Sequence, residues 1–232
     1  MQSYFTQEPE EGRVRLDTDD ARHLIRVLRA QSKERIAIVF NGLRFEAELE
    51  IEGDNAFGRL LGPLPSTEPR CKVTLYQGLP KGDKMDLIVQ SCTQLGVHRI
   101  VPCQMQRCVS KWEGGDKKLQ RWQRIAREAA VQAGRSQVPQ IGECLSFDSL
   151  CRALCAHEQA MVPWEEGGQS LRAVYNCAVD VALVIGPEGG ITAEEIARLP
   201  AQPLTLGPRI LRTQTAGMAA IAMLLTLSGD ME

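Results

Sequence analysis

The sequence predicts an α/β protein in which helices cover a parallel sheet, preceded by a small β-rich unit. Three observations carry this expectation. From Cys71 onward, short apolar strands alternate with segments of helical spacing, the pattern of a parallel sheet buried on both faces. Before that, apolar residues alternate along strands joined by the turn pairs Asn41-Gly42 and Asp54-Asn55. Between the two patterns, PLPSTEPR (Pro63 to Arg70) holds three prolines and reads as a linker. A boundary near residue 68 therefore divides the chain into domains 1–68 and 69–232.

In the first domain VRL, Val14 to Leu16, is a strand, and Asp19 or Asp20 caps a short helix through HLIRVLR that ends near Ala30. RIAIVF, the Asn41-Gly42 turn and the alternating LRFEAELEIEG form a hairpin, and AFGRLLG supplies a third strand. In the second domain CKVTLYQGL is a strand, and DKMDLIVQSCTQLG is a helix stopped by Gly96. HRIVPCQ is the next strand, and DKKLQRWQRIAREAAVQAGR a long amphipathic helix with a basic exposed side. Then follow QIGECLS, the helix FDSLCRALCA, the strand QAMVPW, a loop, the buried strand VDVALVIG, the helix AEEIARL, the strand QPLTLG and an apolar helix through TAGMAAIAMLLTL.

Composition narrows the function classes. The chain has 232 residues, 44% hydrophobic and 24% charged, within the range of ordinary globular proteins. No apolar run reaches the roughly 18 residues a membrane span needs, and MQSYFTQEPEEG lacks the basic head and apolar run of a signal peptide. No membrane association is expected. Of the eight cysteines, Cys71, Cys92, Cys103 and Cys177 lie in apolar segments, and no C-x-x-C pair occurs. Cys151, Cys155 and His157 read as one face of a short helix rather than as metal ligands, so no metal site is expected. A reducing, cytoplasmic compartment fits this usage best. Net charge is only −2, yet Arg70 to Arg135 holds 13 Lys and Arg against 5 Asp and Glu. A basic middle in a mildly acidic protein is the footprint of a polyanion partner.

The candidate site lies in two turns. VALVIGPEGGITAEEI runs from a core strand through Gly-Pro-Glu-Gly-Gly into a helix that Thr192 and Glu195 cap reciprocally. Neither a P-loop nor a dinucleotide fingerprint is present. LTLGPRILRTQTA, Leu204 to Ala216, again ends a strand in a Gly-Pro turn, then offers Ile210, Leu211 and the cation Arg212 before a polar helix opening. Open α/β sheets bind ligands at the carboxyl ends of their strands, and glycines there let a flat ring approach bare backbone. Two such turns standing side by side at adjacent strand ends would supply backbone groups, apolar walls and one fixed cation.

These residues resemble the SPOUT-class RNA methyltransferases, and more closely the family that methylates N3 of a uridine in small-subunit (16S) ribosomal RNA. Besides the two turns, the resemblance rests on GLPKGDKMDLIVQ, QLGVHRIVP and KLQRWQRIAREAAVQAGRSQVPQI. It implies a PUA-like RNA-binding barrel at 1–68, then an α/β domain with a trefoil knot that holds S-adenosyl-L-methionine in a bent shape. It also implies a homodimer, with Met218, Ile221, Met223 and Leu224 packing into the knot and against a partner copy, and 16S rRNA or the small ribosomal subunit as substrate. Cofactor contacts carried over from the family are Leu79, then Ile185, Gly186, Pro187, Glu188, Gly189 and Gly190, then Leu206, Gly207, Ile210, Leu211, Arg212, Thr213 and Ala216. Arg212 is the candidate to stabilise the uracil anion, with a salt bridge or the cofactor carboxylate as its other roles. Glu188 is a candidate base, cofactor acceptor or anchor of its turn. Lys111, Lys117, Lys118, Arg121, Arg124 and Arg127 would meet RNA phosphates, and Gln132 and Arg135 the RNA or substrate. The chain departs from the family pattern at Gln214, where Glu is usual, at Ser91 and Gln94, where Lys and Glu are frequent, and near MQSYF, where an arginine is expected. Methylation of a ribose 2′-hydroxyl or another base, and RNA binding without turnover, are the competing functions.

Overall fold

A computed structural model describes residues 1–113 and 115–231; Gly114 and Glu232, the latter the end of the expected second domain, lie outside the described residues. The chain divides into two compact units, one of residues 1–68 with 130–138, the other of 69–129 with 139 onward.

The first unit is a five-stranded sheet in the order β1 (Ser3–Phe5), β3 (Arg35–Phe40), β4 (Leu43–Glu52), β5 (Asn55–Leu64), β2 (Arg13–Arg15). β1 lies parallel to β3 and the other pairs are antiparallel. The β3–β4 turn needs left-handed backbone at both central residues, and Asn41 (φ 49°) and Gly42 (φ 74°) tolerate it. The next turn falls on Gly53 and Asp54 rather than Asp54-Asn55, because Asn55 already pairs with Glu52. α1 (Thr18–Arg22) is capped by Asp17, whose carboxylate accepts the Asp20 N–H at 2.7 Å, and it widens into a π-type turn over His23–Val27. Tyr4, Leu16, Leu24, Ile36, Ile38 and Leu49 are among the residues closing its core.

Two expectations about the linker are corrected. β5 runs on to Leu64 and takes in Pro63, opposite Phe45. β2 covers only Phe57 to Arg59, so Pro63 sits on an open edge where a missing N–H is tolerated. Beyond it Glu68 is tied down: its carboxylate accepts the N–H of Ser136 at 2.8 Å, the N–H of Gln137 at 3.1 Å and the guanidinium of Arg135. That tie places 130–138, expected with the second domain, in the first unit.

The second unit holds an eight-stranded sheet in which every pair is parallel. In chain order its elements are β6 (Lys72–Gly78), α2 (Lys84–Leu95), β7 (Arg99–Gln104), α3 (Asp116–Gln132), β8 (Gln140–Ile141), β9 (Leu145–Ser146), α4 (Phe147–Leu154), β10 (Gln159–Pro163), β11 (Gln169–Ser170), α5 (Leu171–Val174), β12 (Asp180–Ile185), α6 (Ala193–Arg198), β13 (Gln202–Thr205) and α7 (Thr213–Leu227). QIGECLS, left without an assignment from the sequence, holds the two short strands β8 and β9, both paired with β7. The spatial order is β11-β13-β10-β12-β6-β7-β8, so β12 is inserted between β10 and β6. That central place explains its sequence: Val181 to Ile185 have neighbouring strands on both edges and are buried throughout.

α7 packs on α2 and crosses β6 and β12. Ile221 and Leu224 are buried within this unit, Met218 is half-buried, and Met223 and Leu227 face outward. Among the described residues no helix is long and apolar enough to cross a membrane. His157 is engaged elsewhere than with Cys151 and Cys155: its Nε2 lies 2.9 Å from the Tyr76 hydroxyl and its Nδ1 2.8 Å from Asp180 Oδ1. Cys92 is a buried thiol, and burial pushes it up to about 12, far from thiolate chemistry.

Candidate functional site

The site is assembled at the carboxyl ends of β12, β10 and β13. β12 ends at Ile185 and the chain turns at once, with the Gly190 N–H donating to the Pro187 carbonyl at 3.0 Å. Thr192 then caps α6: its hydroxyl accepts the Glu195 N–H, while Glu195 accepts the Thr192 N–H at 3.1 Å and the Gln106 N–H at 2.9 Å. Arg107 donates to the Gly189 carbonyl at 3.0 Å. The turn is thus held rigidly from behind by the segment after β7.

The glycines answer to different neighbours. A Cβ on Gly186 would lie 2.7 Å from the Ile191 side chain, and one on Gly189 would lie 2.9 Å from Arg107 Cβ. Their missing side chains are therefore required by the protein's own packing. Gly190 and Gly207 have φ of +73° and +109°, and only Gly207 of these positions faces open space. Gly78, at the end of β6, makes the same kind of allowance. A Cβ there would stand 2.7 Å from the backbone N of Pro187.

The two turns do not leave adjacent strands, as expected; β10 stands between β12 and β13. Pro163 and Glu165, at and just after the end of β10, consequently line the space between them. One cavity of about 430 Å³ is lined by Ile185 to Ile191, Pro163, Glu165, Lys84, Ile210 to Gln214 and Ala216. A second of about 310 Å³, lined by Trp164, Thr205 to Leu211 and Ala216, shares Pro163, Glu165, Ile210, Leu211 and Ala216 with the first. Of the cofactor candidates, Ile185 through Gly190, Ile210 through Thr213 and Ala216 meet in the larger cavity, while Leu206 and Gly207 line the smaller. Leu79 lines neither. It is buried, donates its N–H to the Cys103 carbonyl at 3.0 Å, and borders a separate cavity beside Trp112 and Lys118.

A short chain of hydrogen bonds joins the turns. Thr213 donates its hydroxyl to the Gly186 carbonyl at 2.6 Å and accepts from Gln77 Nε2 at 2.9 Å. Gln77 also donates to the Gly78 carbonyl at 3.0 Å and is fully buried. Sequence reasoning missed Gln77, although a lone amide in the apolar strand CKVTLYQGL was a usable signal. Glu165 and Lys84 carried no such signal, since charged loop and helix residues are common.

Charge at the site is specific. Arg212 caps α7 with extended backbone; its guanidinium is exposed and has no hydrogen-bond or ion-pair partner among the described residues. Glu188 is engaged: it accepts the Lys81 N–H at 3.0 Å and pairs with the Lys84 ammonium. Burial pushes its carboxyl up, but the Lys84 bond, the backbone N–H groups and the lysine charge outweigh this and hold it below the ordinary carboxylate range. A carboxylate so held is a weak base, which favours the anchoring role over the catalytic one. Gln214 Oε1 is buried in the cavity wall with no hydrogen-bond partner among the described residues, so it offers an acceptor to a ligand donor.

Lys111, Lys117, Lys118, Arg121, Arg124 and Arg127 are exposed on and before α3. Arg121 pairs with Asp86, and Arg124 reaches Glu128 at 3.7 Å. Gln132 is also exposed. Arg135 is a correction: only 3% exposed, its guanidinium is spent on Glu68. A buried, paired arginine serves the fold of the first unit and cannot meet RNA.

Residues 67–225 match the RNA methyltransferase domain family, and residues 16–60 the RNA methyltransferase PUA domain. Ribosomal RNA small subunit methyltransferase E of Bacillus subtilis is 32% identical over 96% of this chain and 95% of that protein. Its namesake in Mycobacterium bovis is 31% identical over 95% and 89%. The crystal structure of ribosomal RNA small subunit methyltransferase E from Neisseria gonorrhoeae, bound to S-adenosyl methionine, superposes with a TM-score of 0.87 at 30% identity, covering 98% of each chain.

Proposed function

The chain belongs to the RNA methyltransferase family, and on that premise we propose that it transfers a methyl group from S-adenosylmethionine to N3 of a uridine in 16S ribosomal RNA. The observation that carries this reading is the Thr213–Gly186 hydrogen bond, which closes the two turns around one cavity open to Arg212. The residues present fit the cofactor. Ile185, Ile210, Leu211 and Ala216 would give apolar walls for its adenine ring, and Glu165 and the unpartnered Gln214 Oε1 would accept from its donor groups. When bound, it supplies a methyl carbon already activated on a positive sulfur, so the reaction needs no metal.

What remains for the protein is positioning and charge. The turns fix one reactant so that the other arrives in line, an entropic contribution. The uracil imide proton must leave as N3 attacks, and negative charge then spreads onto the flanking carbonyl oxygens. Arg212, the unpaired cation of the cavity wall, is the group that stabilises this charge. Glu188 holds its turn against Lys84 and α2. N3 lies on the pairing edge of the base, so the uridine is unpaired or extruded when it reacts.

In this reading the first unit is a PUA-like RNA-binding domain, the second is the methyltransferase domain with the family's trefoil knot, and the exposed cations of α3 meet phosphates. The exposed Met223 and Leu227 on α7 support a homodimer, and ribosomal RNA as substrate supports a cytoplasmic location. The test is to incubate the protein with labelled cofactor and small-subunit ribosomal RNA, free or assembled, and to analyse the digested nucleosides by mass. 3-Methyluridine is expected. A 2′-O-methyl nucleoside would overturn the base assignment, and cofactor binding without methyl transfer would overturn the activity.

A further inference from the structure

A third cavity, of about 300 Å³, shares no lining residue with the two at the glycine turns. Its walls include Leu79, Met85, Trp112, Lys118, Arg121 and Trp122. Trp112 is half-buried and leans on Trp122, with ring centroids 5.9 Å apart and planes tilted 33°. The Lys118 ammonium lies 5.8 Å from the Trp112 centroid. The support is in place beforehand. The backbone N–H of Trp112 donates to Gln104 Oε1 at 2.8 Å, fixing the chain at this residue, and Trp122, against which the Trp112 ring leans, donates its Nε1 at 3.1 Å to Asp86, which also receives Arg121. Beside this aromatic slot lies a cleft of about 350 Å³ lined by Lys117, Gln120, Arg121 and Arg124, with no carboxylate among the described residues of its wall.

We propose that this pair of cavities binds an unpaired nucleotide of the RNA other than the one that is methylated, its base stacked on Trp112 and its phosphates against Lys117, Lys118 and Arg124. The proposal rests on RNA being the substrate. A slot of this volume accommodates a small planar ligand, every base has a π-face, and a base–aromatic stack beside cations is how single strands are held without sequence preference. A duplex hides those faces by its own stacking, so the site selects single-stranded RNA. Such a contact fixes the RNA register at a distance from the reacting uridine and needs no order in the transition state.

The test uses the full chain and a short labelled single-stranded oligoribonucleotide of mixed sequence, with inorganic polyphosphate as a polyanion lacking bases. Trp112→Leu is expected to weaken oligonucleotide binding by about fivefold to a hundredfold with the salt slope unchanged and polyphosphate affinity intact. Trp112→Phe retains most of the affinity. Lys117→Gln lowers the salt slope by about one. Fluorine NMR of fluorotryptophan-labelled wild type, in which the Trp112 resonance shifts on adding the oligonucleotide, checks the contact without relying on the stability of a variant. Equal oligonucleotide affinity in Trp112→Leu, equal losses for oligonucleotide and polyphosphate, or a Trp112 resonance that does not move would each overturn the proposal. If wild type binds the oligonucleotide through Trp112 yet transfers no methyl group, the nucleotide site stands and the proposed activity falls.

Discussion

Replacing Thr213 by valine tests the link that makes two separate turns into one site. The residue is 6% exposed and valine keeps its shape, so the change removes only the hydroxyl. Two hydrogen bonds disappear: the 2.6 Å donation to the Gly186 carbonyl and the 2.9 Å acceptance from Gln77. Gln77 keeps its bond to the Gly78 carbonyl, so one amide hydrogen is stranded together with the Gly186 carbonyl. A buried polar group left unsatisfied costs about 1–3 kcal/mol. Partial relaxation at the cavity edge brings the expected loss of unfolding free energy to about 2–3 kcal/mol. The turns then sample separated positions that a ligand must reunite. At about 1.4 kcal/mol per decade, the Kd for S-adenosylmethionine should rise about tenfold or more. Denaturant unfolding gives the first number and titration calorimetry the second. Thr213→Ser keeps the hydroxyl and should stay within about 1 kcal/mol of wild type. If Thr213→Val unfolds within about 0.5 kcal/mol of wild type and binds the cofactor equally well, the turns are not held together in this way.

Other perturbations separate the remaining claims. Gly78→Ala pushes a methyl to 2.7 Å from the Pro187 backbone and should cost about 1–3 kcal/mol with weaker cofactor binding, whereas Gly217→Ala meets Leu75 at an ordinary 3.6 Å and should gain about 0.5–1 kcal/mol; thermal unfolding of both decides. Arg212→Gln should lower single-turnover methyl transfer by about a hundredfold to a thousandfold with a much smaller change in cofactor Kd; full activity would move the charge-stabilising role elsewhere. Asp230 anchors the chain end: burial pushes its carboxyl up, but the Cys71 N–H, the Ser228 hydroxyl, and the Arg70 N–H and guanidinium hold it at about 2 against an ordinary 3.8. Because the folded value is depressed, this stabilisation is complete above the ordinary value and is lost as pH falls through the folded one. Asp230→Asn should therefore cost about 1–2 kcal/mol at neutral pH, discounted for the exposed Arg70, and converge with wild type in acid unfolding below about pH 2. A constant gap across that range would assign the effect to packing.

Much of this fold is legible in the chain because its local signals agree with its tertiary context. Val181 to Ile185 read as a buried strand since both edges are covered, and Asn41-Gly42 reads as a hairpin since few other pairs take left-handed backbone at both positions. β1 was not legible, because three residues are too few to show alternation, and its pairing with β3 is a contact across some thirty residues of sequence. At the site, both Gly-Pro turns, Arg212 and Thr213 could be picked out as motifs, and Gln77 as a lone amide in an apolar strand, whereas Lys84 and Glu165 could not. Their relevance lies in which strand ends neighbour one another, and no local spacing encodes that.

By itself, the sequence determined most of the longer elements, the two turns and the chemistry they offer: bare backbone, apolar walls and one cation. Only the tertiary structure decided that β10 lies between β12 and β13, that Gly186 and Gly189 are demanded by Ile191 and Arg107, and that Arg135 is spent on Glu68 while Arg212 has no partner among the described residues. The physical reason is that propensities, caps and turn types depend on residues a few positions apart. Whether a given charge or glycine is taken up by the fold or left to a ligand depends on neighbours brought together from far along the chain.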